Sequence, residues 1–217
     1  MTVALNLARF RTTPLTPTPF PHLIVPQFLA PETCLRINEN FPRIRKPGSF
    51  PLARLSYGDV FTALIEQLRS DEMRHAFAEK FDVDLTGRPT MITVRGRCGP
   101  KDGRIHTDSV TKIITVLLYL NPAWAEDGGR LRLLRSENLS DVLLEVPPEA
   151  GTLLCFRRSD NSFHGHKPFV GERRVVQLNW VTSSWVLRRE TWRHSVSAFF
   201  KGLRSFPWGG SDKREAA

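Results

Sequence analysis

Two short stretches carry side chains that could do chemistry together. The first is Arg104-Ile105-His106-Thr107-Asp108, which sets a histidine and an aspartate two residues apart. In extended backbone, side chains at i and i+2 point to the same face, so the imidazole of His106 and the carboxylate of Asp108 can aim at one point. The second holds His164 and His166, also two apart, just before the basic and apolar run Arg173-Arg174-Val175-Val176-Gln177-Leu178-Asn179-Trp180. Two histidines and one carboxylate, with coordination positions left over, form the ligand set of a mononuclear iron(II) centre that activates dioxygen. For that chemistry the fold must bring position 106 against position 164.

The elements that could do so are legible as a change of character along the chain. Residues 1–21 are rich in Thr and Pro and read as an extended leader. His22 to Val25 reads as a short strand. Pro31 opens a helix that runs to Phe41, and the Pro- and Gly-containing stretch 42–57 reads as a loop. Asp59 is placed to cap a second helix through Arg69, with Val60, Leu64, Ile65 and Leu68 as its apolar stripe. Ser70 is placed to cap a third, ending near Phe81. From Thr90 onward β-branched and apolar runs take over: Met91 to Val94, Lys112 to Leu120, Arg130 to Arg135, 141–146, 151–157, Ser162 to His166 and Arg174 to Thr182. Between the first two lies what reads as a loop carrying Arg95, Arg97, Lys101 and Arg104. Several short strands separated by turn residues indicate an antiparallel sandwich or barrel, and helices followed by strands is an α+β order.

The expected organisation is one domain over 22–205: a helical part (30–82), a jelly-roll core (90–183) and a C-terminal amphipathic helix (187–204). Residues 206–217 follow as a flexible tail. Trp192, Val196, Phe199, Phe200 and Leu203 share one face of that last helix, which is expected to pack on the barrel; a membrane surface is the alternative.

Composition narrows the class. At 41% hydrophobic and 24% charged residues the 217-residue chain is an ordinary globular protein, and no apolar run reaches the ~20 residues that a membrane helix needs. The start shows no basic-then-apolar signal pattern, and Cys34, Cys98 and Cys155 are too few and too scattered for a disulfide framework. A reducing, cytoplasmic setting is the expectation. No Cys-x-x-Cys pair offers a zinc site. The net charge of +9 predicts attraction to anions, yet no nucleic-acid-binding motif is present and no stacking aromatics are interleaved in the basic loop.

Residues 106–180 resemble the core of the prolyl-hydroxylase-like branch of the 2-oxoglutarate/iron(II)-dependent dioxygenases. The matching pieces, in order, are His106-x-Asp108, Tyr119-Leu120-Asn121, Gly128-Gly129-Arg130-Leu131, His164 with Pro168 four residues on, and Arg174 six residues before Trp180. The resemblance implies a double-stranded β-helix core and three ligands to Fe(II): His106, Asp108 and His164. It also implies 2-oxoglutarate and O2 as co-substrates. Arg174 would anchor the far carboxylate of 2-oxoglutarate, since a planar guanidinium binds a carboxylate with two bonds. Tyr119 would hydrogen-bond that carboxylate and Leu131 would line its pocket.

Two choices remain at the residue level. His164 and His166 can face the same way, and the spacing to Pro168 favours His164. Arg173 and Arg174 face opposite ways. Arg174 shares its face with Val176, Leu178 and Trp180, the more apolar and hence the expected inward set, with Arg173 as the fallback. A carboxylate at position 108, where related halogenases have a small residue, implies hydroxylation, with 2-oxoglutarate converted to succinate and CO2. The family often has a Tyr on the strand before the first ligand. Here that stretch is Val94-Arg95-Gly96-Arg97. Arg95, Arg97, Lys101, Arg104, Arg157 and Arg158 are expected to flank the mouth, which suits an anionic small molecule or glycan precursor. A protein side chain such as proline, and a catalytically silent barrel acting as a binding module, are the alternatives.

Overall fold

The computed structural model describes residues 2–183. Their helices come first. Asn6 caps the helix α1 (Leu7–Thr12), its side chain accepting from the Arg9 amide. The strand β1 (His22–Val25) leads to α2 (Pro31–Glu39), which begins on Pro31, where the missing N–H costs nothing. After a short edge strand β2 (Phe50–Pro51) and one 3-10 turn come α3 (Asp59–Leu68) and α4 (Asp71–Phe81). Ser70 caps α4 by accepting from the Met73 amide, and α4 ends where Asp82 adopts a left-handed conformation.

Seven strands follow: β3 (Thr90–Cys98), β4 (Lys112–Tyr119), β5 (Leu131–Leu134), β6 (Val142–Val146), β7 (Leu153–Arg157), β8 (His164–His166) and β9 (Gly171–Val181). They form a six-stranded sheet in the order β1-β7-β4-β9-β3-β2 and a three-stranded sheet in the order β6-β5-β8, with every pair antiparallel. The two sheets close on Leu117, Tyr119, Leu131, Leu133, Phe156 and Val175. This is the double-stranded β-helix in an α+β chain.

The larger sheet is covered on both faces. Its outer face packs Val116, Leu118, Val176, Leu178 and Trp180 against Phe61, Leu64 and Phe77 of the helices, and Trp180 lies against Phe77 with ring centroids 5.0 Å apart. A strand buried on both faces reads as a continuous apolar run, as Ile113 to Leu118 does.

Three expectations change. Asp59 does not cap α3: Gly58 is the N-cap and Asp59 the first helical residue. The leader is not extended throughout: Leu7 and Phe10 are buried at i, i+3 on α1, and Phe10 stacks on Phe77 at 4.3 Å. The Thr/Pro bias lies in residues 12–21 and masked the amphipathic turn before them. β3 does not stop at Val94 but runs through Gly96 to Cys98, with a register shift between Arg95 and Arg97. A Cβ at Gly96 would come within 2.8 Å of the Ile44 side chain, so this glycine serves close packing, not a turn. The expected C-terminal helix (187–204) and tail lie outside the described residues. Among those described, no helix is long and apolar enough to cross a membrane.

Candidate active site

The loop between β3 and β4 carries the first ligand pair, and backbone hydrogen bonds stitch it to β8. The His106 amide donates to the His164 carbonyl and the His164 amide to the His106 carbonyl, each at 3.0 Å. The two rings lie 4.3 Å apart between centroids. This close approach needs glycine on β8: a Cβ at Gly165 would fall 2.8 Å from the Gly103 carbonyl oxygen. Gly103 has φ +91°, and a Cβ there would meet the His166 ring at 2.5 Å. Arg158 holds the loop further on, its Nε donating to the Asp108 carbonyl.

His106, Asp108 and His164 thereby converge, with one ligand atom of each lying within 4.8 Å of the others. Both imidazoles have a defined orientation. Nδ1 of His106 donates to the Arg104 carbonyl at 2.9 Å and Nδ1 of His164 to the Ser162 carbonyl at 3.0 Å. A carbonyl can only accept, so Nδ1 carries the proton and Nε2 of a neutral ring presents its lone pair. Asp108 is buried, with Oδ1 accepting from the Lys112 ammonium and Oδ2 from the Thr115 hydroxyl. Burial pushes its carboxyl up, but the charge of Lys112, then that of His164, and the two hydrogen bonds outweigh this and leave it at about 2. Burial lowers His164 to about 4, with Asp108 opposing. An ionised carboxylate and a neutral imidazole are the forms a metal requires. The donor set fits Fe(II).

These shifts predict acid sensitivity of the metal-free protein. Folded His164 stays neutral to about pH 4, whereas unfolded histidine takes a proton near 6.5, so the unfolded chain binds more protons in between. Stability is therefore full above pH 6.5 and lost as pH falls towards 4. Desolvation, then Arg173, lower His166 to about 4 as well, so it acts in the same window. At pH 5 the loss from His164 alone is about 2 kcal/mol, at 1.36 kcal/mol per pH unit. Urea midpoints at pH 7 and pH 5 measure it, and mutation of His164 to Phe should make the dependence shallower while leaving the share of His166.

The cavity at this site has a volume of about 240 Å³. Its inner end is formed by Leu131, Val175 and Arg173. Arg173 is 5% exposed, its Nε donates to the Gly129 carbonyl at 2.8 Å, and its guanidinium carbon lies 5.4 Å from the centre of the Tyr119 ring. It has no acidic partner among the described residues. The Tyr119 hydroxyl is fully buried and meets no partner in full hydrogen-bond geometry among the described residues, the Arg173 guanidinium being its polar neighbour. Burial raises its phenol above the ordinary value, with the charge of Arg173 opposing. An unpaired guanidinium beside an orphaned hydroxyl is the complement of a carboxylate.

Arg174, the expected anchor, is not at this site. It points to the other face of β9, where Nη1 donates to Asn38, Nε pairs with Glu172 at 2.6 Å and the guanidinium lies over Phe41. The face rule failed for a physical reason. The apolar face of β9 packs on the helices, whereas the barrel interior takes Arg173, Val175, Gln177 and Asn179. Arg173, and not Arg174, lines the cavity. His164 is preferred over His166 because only His164 shares the cluster with His106 and Asp108. His166 lines the cavity beside it, its Nδ1 donating to the Lys167 carbonyl.

Ser49, Met91, Thr93, Arg95, Arg104 and Lys112 also line the cavity. Arg95 pairs with Asp102 at 2.7 Å. Arg104 is exposed and has no ion pair among the described residues. Of the other expected rim cations, Arg97, Lys101 and Arg157 are exposed but away from the cavity, and Arg158 pairs with Asp160. The sequence reading overlooked Lys112, Thr115, Gln177 and Asn179. The available signal was Gln177 and Asn179, polar at alternate positions of β9, and Thr115, a lone polar residue inside the apolar run of β4.

Residues 96–182 match the family model described as the 2OG-Fe(II) oxygenase superfamily. No curated protein sequence matches the chain. Among solved structures, the chain is similar to a prolyl-4-hydroxylase of Pseudomonas putida. They are 17% identical with a TM-score of 0.57, covering 83% of this chain and 94% of that one. It is also similar to HygX of Streptomyces hygroscopicus, solved with nickel and 2-oxoglutarate bound, at 14% identity and TM-score 0.52, covering 83% and 88%. A viral collagen prolyl hydroxylase from Paramecium bursaria Chlorella virus-1, solved with 2OG, aligns at 15% identity and TM-score 0.51, over 74% and 96%.

Proposed function

We propose that this chain, whose barrel core belongs to the 2OG-Fe(II) oxygenase superfamily, hydroxylates an anionic small molecule, with His106, Asp108 and His164 as iron ligands and Arg173 and Tyr119 as the 2-oxoglutarate carboxylate site. Bound iron(II), 2-oxoglutarate and O2 supply the chemistry: 2-oxoglutarate loses CO2 to become succinate, one oxygen atom going to succinate and the other to the substrate. The chain's own part is positional. Arg173, held by the Gly129 carbonyl and the Tyr119 ring, offers a buried charge to the far carboxylate of the co-substrate. Leu131 and Val175 keep water from that end of the cavity. The Nδ1 bonds of His106 and His164 keep both Nε2 atoms available.

The observation that carries the substrate class is the charge around the cavity. Arg95, Arg104, Lys112 and Arg173 line it against the single carboxylate of Asp108. With Arg173 committed to 2-oxoglutarate, Lys112 to Asp108 and Arg95 to Asp102, Arg104 remains at the rim for an anionic group. The second reading, hydroxylation of a prolyl side chain, takes its support from the relatives' activity. One assay separates the two. Succinate release is followed with a panel of small carboxylates, phosphates and sugar nucleotides, and with uncharged proline-rich peptides. Stimulation by anionic small molecules, lost at high salt or in Arg104→Gln, is expected. Stimulation by the peptides alone would replace this reading with the second.

A further inference from the structure

The ionised Asp108 fixes the direction of a buried hydrogen-bond chain across two central strands. Its carboxylate can only accept, so the Thr115 hydroxyl donates to Oδ2. The Thr115 oxygen then accepts from Nδ2 of Asn179, at 2.7 Å. Asn179 must therefore turn its Oδ1 away, and that oxygen accepts from Nε2 of Gln177 at 3.1 Å. No amide in this chain can be flipped without setting donor against donor or acceptor against acceptor. Thr115 and Asn179 are 1% and 0% exposed, so neither has water to fall back on. Gln177 lines the cavity, and its strand is central, with the opposite face packed on helices. Its carbonyl oxygen, the one end left over, makes no hydrogen bond among the described residues.

The other oxygen of Asp108 is held differently. Lys112 reaches it on a flexible stem from the cavity wall, with its side chain 15% exposed. One carboxylate oxygen is thus clamped by a rigid buried chain, and the other is held by a group that can move.

Resting on the assignment of Asp108 as a metal ligand, we propose that Thr115 and Asn179 are positioning residues for the metal site. They clamp one oxygen of Asp108 so that the other is presented beside His106 and His164, with Gln177 orienting the chain from its substrate-facing end. The chain acts on the metal and leaves the co-substrate anchor at Arg173 untouched.

Titration of the full chain with Co(II) under argon tests this, following both affinity and the visible ligand-field spectrum that reports the donor set. Thr115→Val and Asn179→Leu, each close to the native shape, should weaken metal binding about 10- to 100-fold, the usual range when an outer partner of a ligand is lost. The double variant should be no weaker than the worse single one, because both break one chain. Thr115→Ser, which keeps the hydroxyl, should bind and absorb as the wild type does. Affinity for 2-oxoglutarate at saturating metal should not change in any of them. Near-UV circular dichroism checks the fold. Should both apolar variants fail to fold, Gln177→Leu at the half-buried end carries the test, with about a threefold loss expected for one neutral hydrogen bond. Wild-type affinity in a folded Thr115→Val, Asn179→Leu or Gln177→Leu, additive losses in the double variant, or a weakened Thr115→Ser would overturn the proposal. Absence of Co(II) binding to the wild type would instead remove the metal-site assignment itself.

Discussion

Replacing Arg173 with Met should weaken 2-oxoglutarate binding about a hundredfold or more, whereas replacing its neighbour Arg174 should change it less than about twofold. The first magnitude follows from truncating one partner of a buried, hydrogen-bonded charge pair, which costs roughly 2–5 kcal/mol. Arg173 is buried, fixed by the Gly129 carbonyl and the Tyr119 ring, and without an acidic partner of its own among the described residues. Arg173→Lys keeps the charge but loses the planar fork, and an intermediate loss of about tenfold is expected. Arg174 is committed to Asn38 and Glu172 on the helix side of the sheet. Its loss should lower stability by no more than about 1 kcal/mol, the scale of a partly exposed pair. Calorimetric titration of 2-oxoglutarate into the Mn(II)-substituted protein gives the affinities, and urea unfolding gives the stabilities. A large effect at 174 with none at 173 would return the anchor to the residue that sequence spacing favoured.

That pair of adjacent arginines marks where the sequence stops being readable. The convergence of His106, Asp108 and His164 was legible because ligand chemistry restricts residue type, and because short turns and spaced strands announced a barrel. The N-cap at Ser70 and the stripe on α3 were legible because their signals are local. Which side of β9 faces inward is not local. An amphipathic strand normally turns its apolar face to the core, but β9 is covered on both sides. Its more apolar side belongs to Phe61, Leu64 and Phe77, and the polar side belongs to the cavity. The same reversal hid Thr115, Gln177 and Asn179, which look like interruptions in apolar strands until the cavity explains them. At Gly96 the residue type suggested a break, whereas the requirement was contact with Ile44. At α1 a proline-rich neighbour outweighed the spacing of Leu7 and Phe10.

The other large effect is expected at Asp108. Mutation to Ala removes the one carboxylate that lines the cavity among the described residues and leaves the Lys112 ammonium there unopposed. A divalent ion then meets two neutral imidazoles and a like charge, so metal binding should fall by well over a hundredfold and succinate formation should cease. Lys112→Met separates the two contributions. Lys112 donates to Oδ1 of Asp108, so an incoming cation would compete with it for that carboxylate. Removing the ammonium should tighten metal binding, the opposite sign to Asp108→Ala, provided the Thr115 hydroxyl still holds Oδ2. Equilibrium dialysis of Fe(II) or Mn(II) against the wild type, the two single variants and the double variant closes a cycle. The double variant should lie above Asp108→Ala alone, because two imidazoles without a nearby ammonium still bind a divalent ion weakly. Should Asp108→Ala retain wild-type affinity, the carboxylate is not a ligand. Weaker binding in Lys112→Met would mean that Lys112 holds Asp108 in place for the metal and does not compete with it.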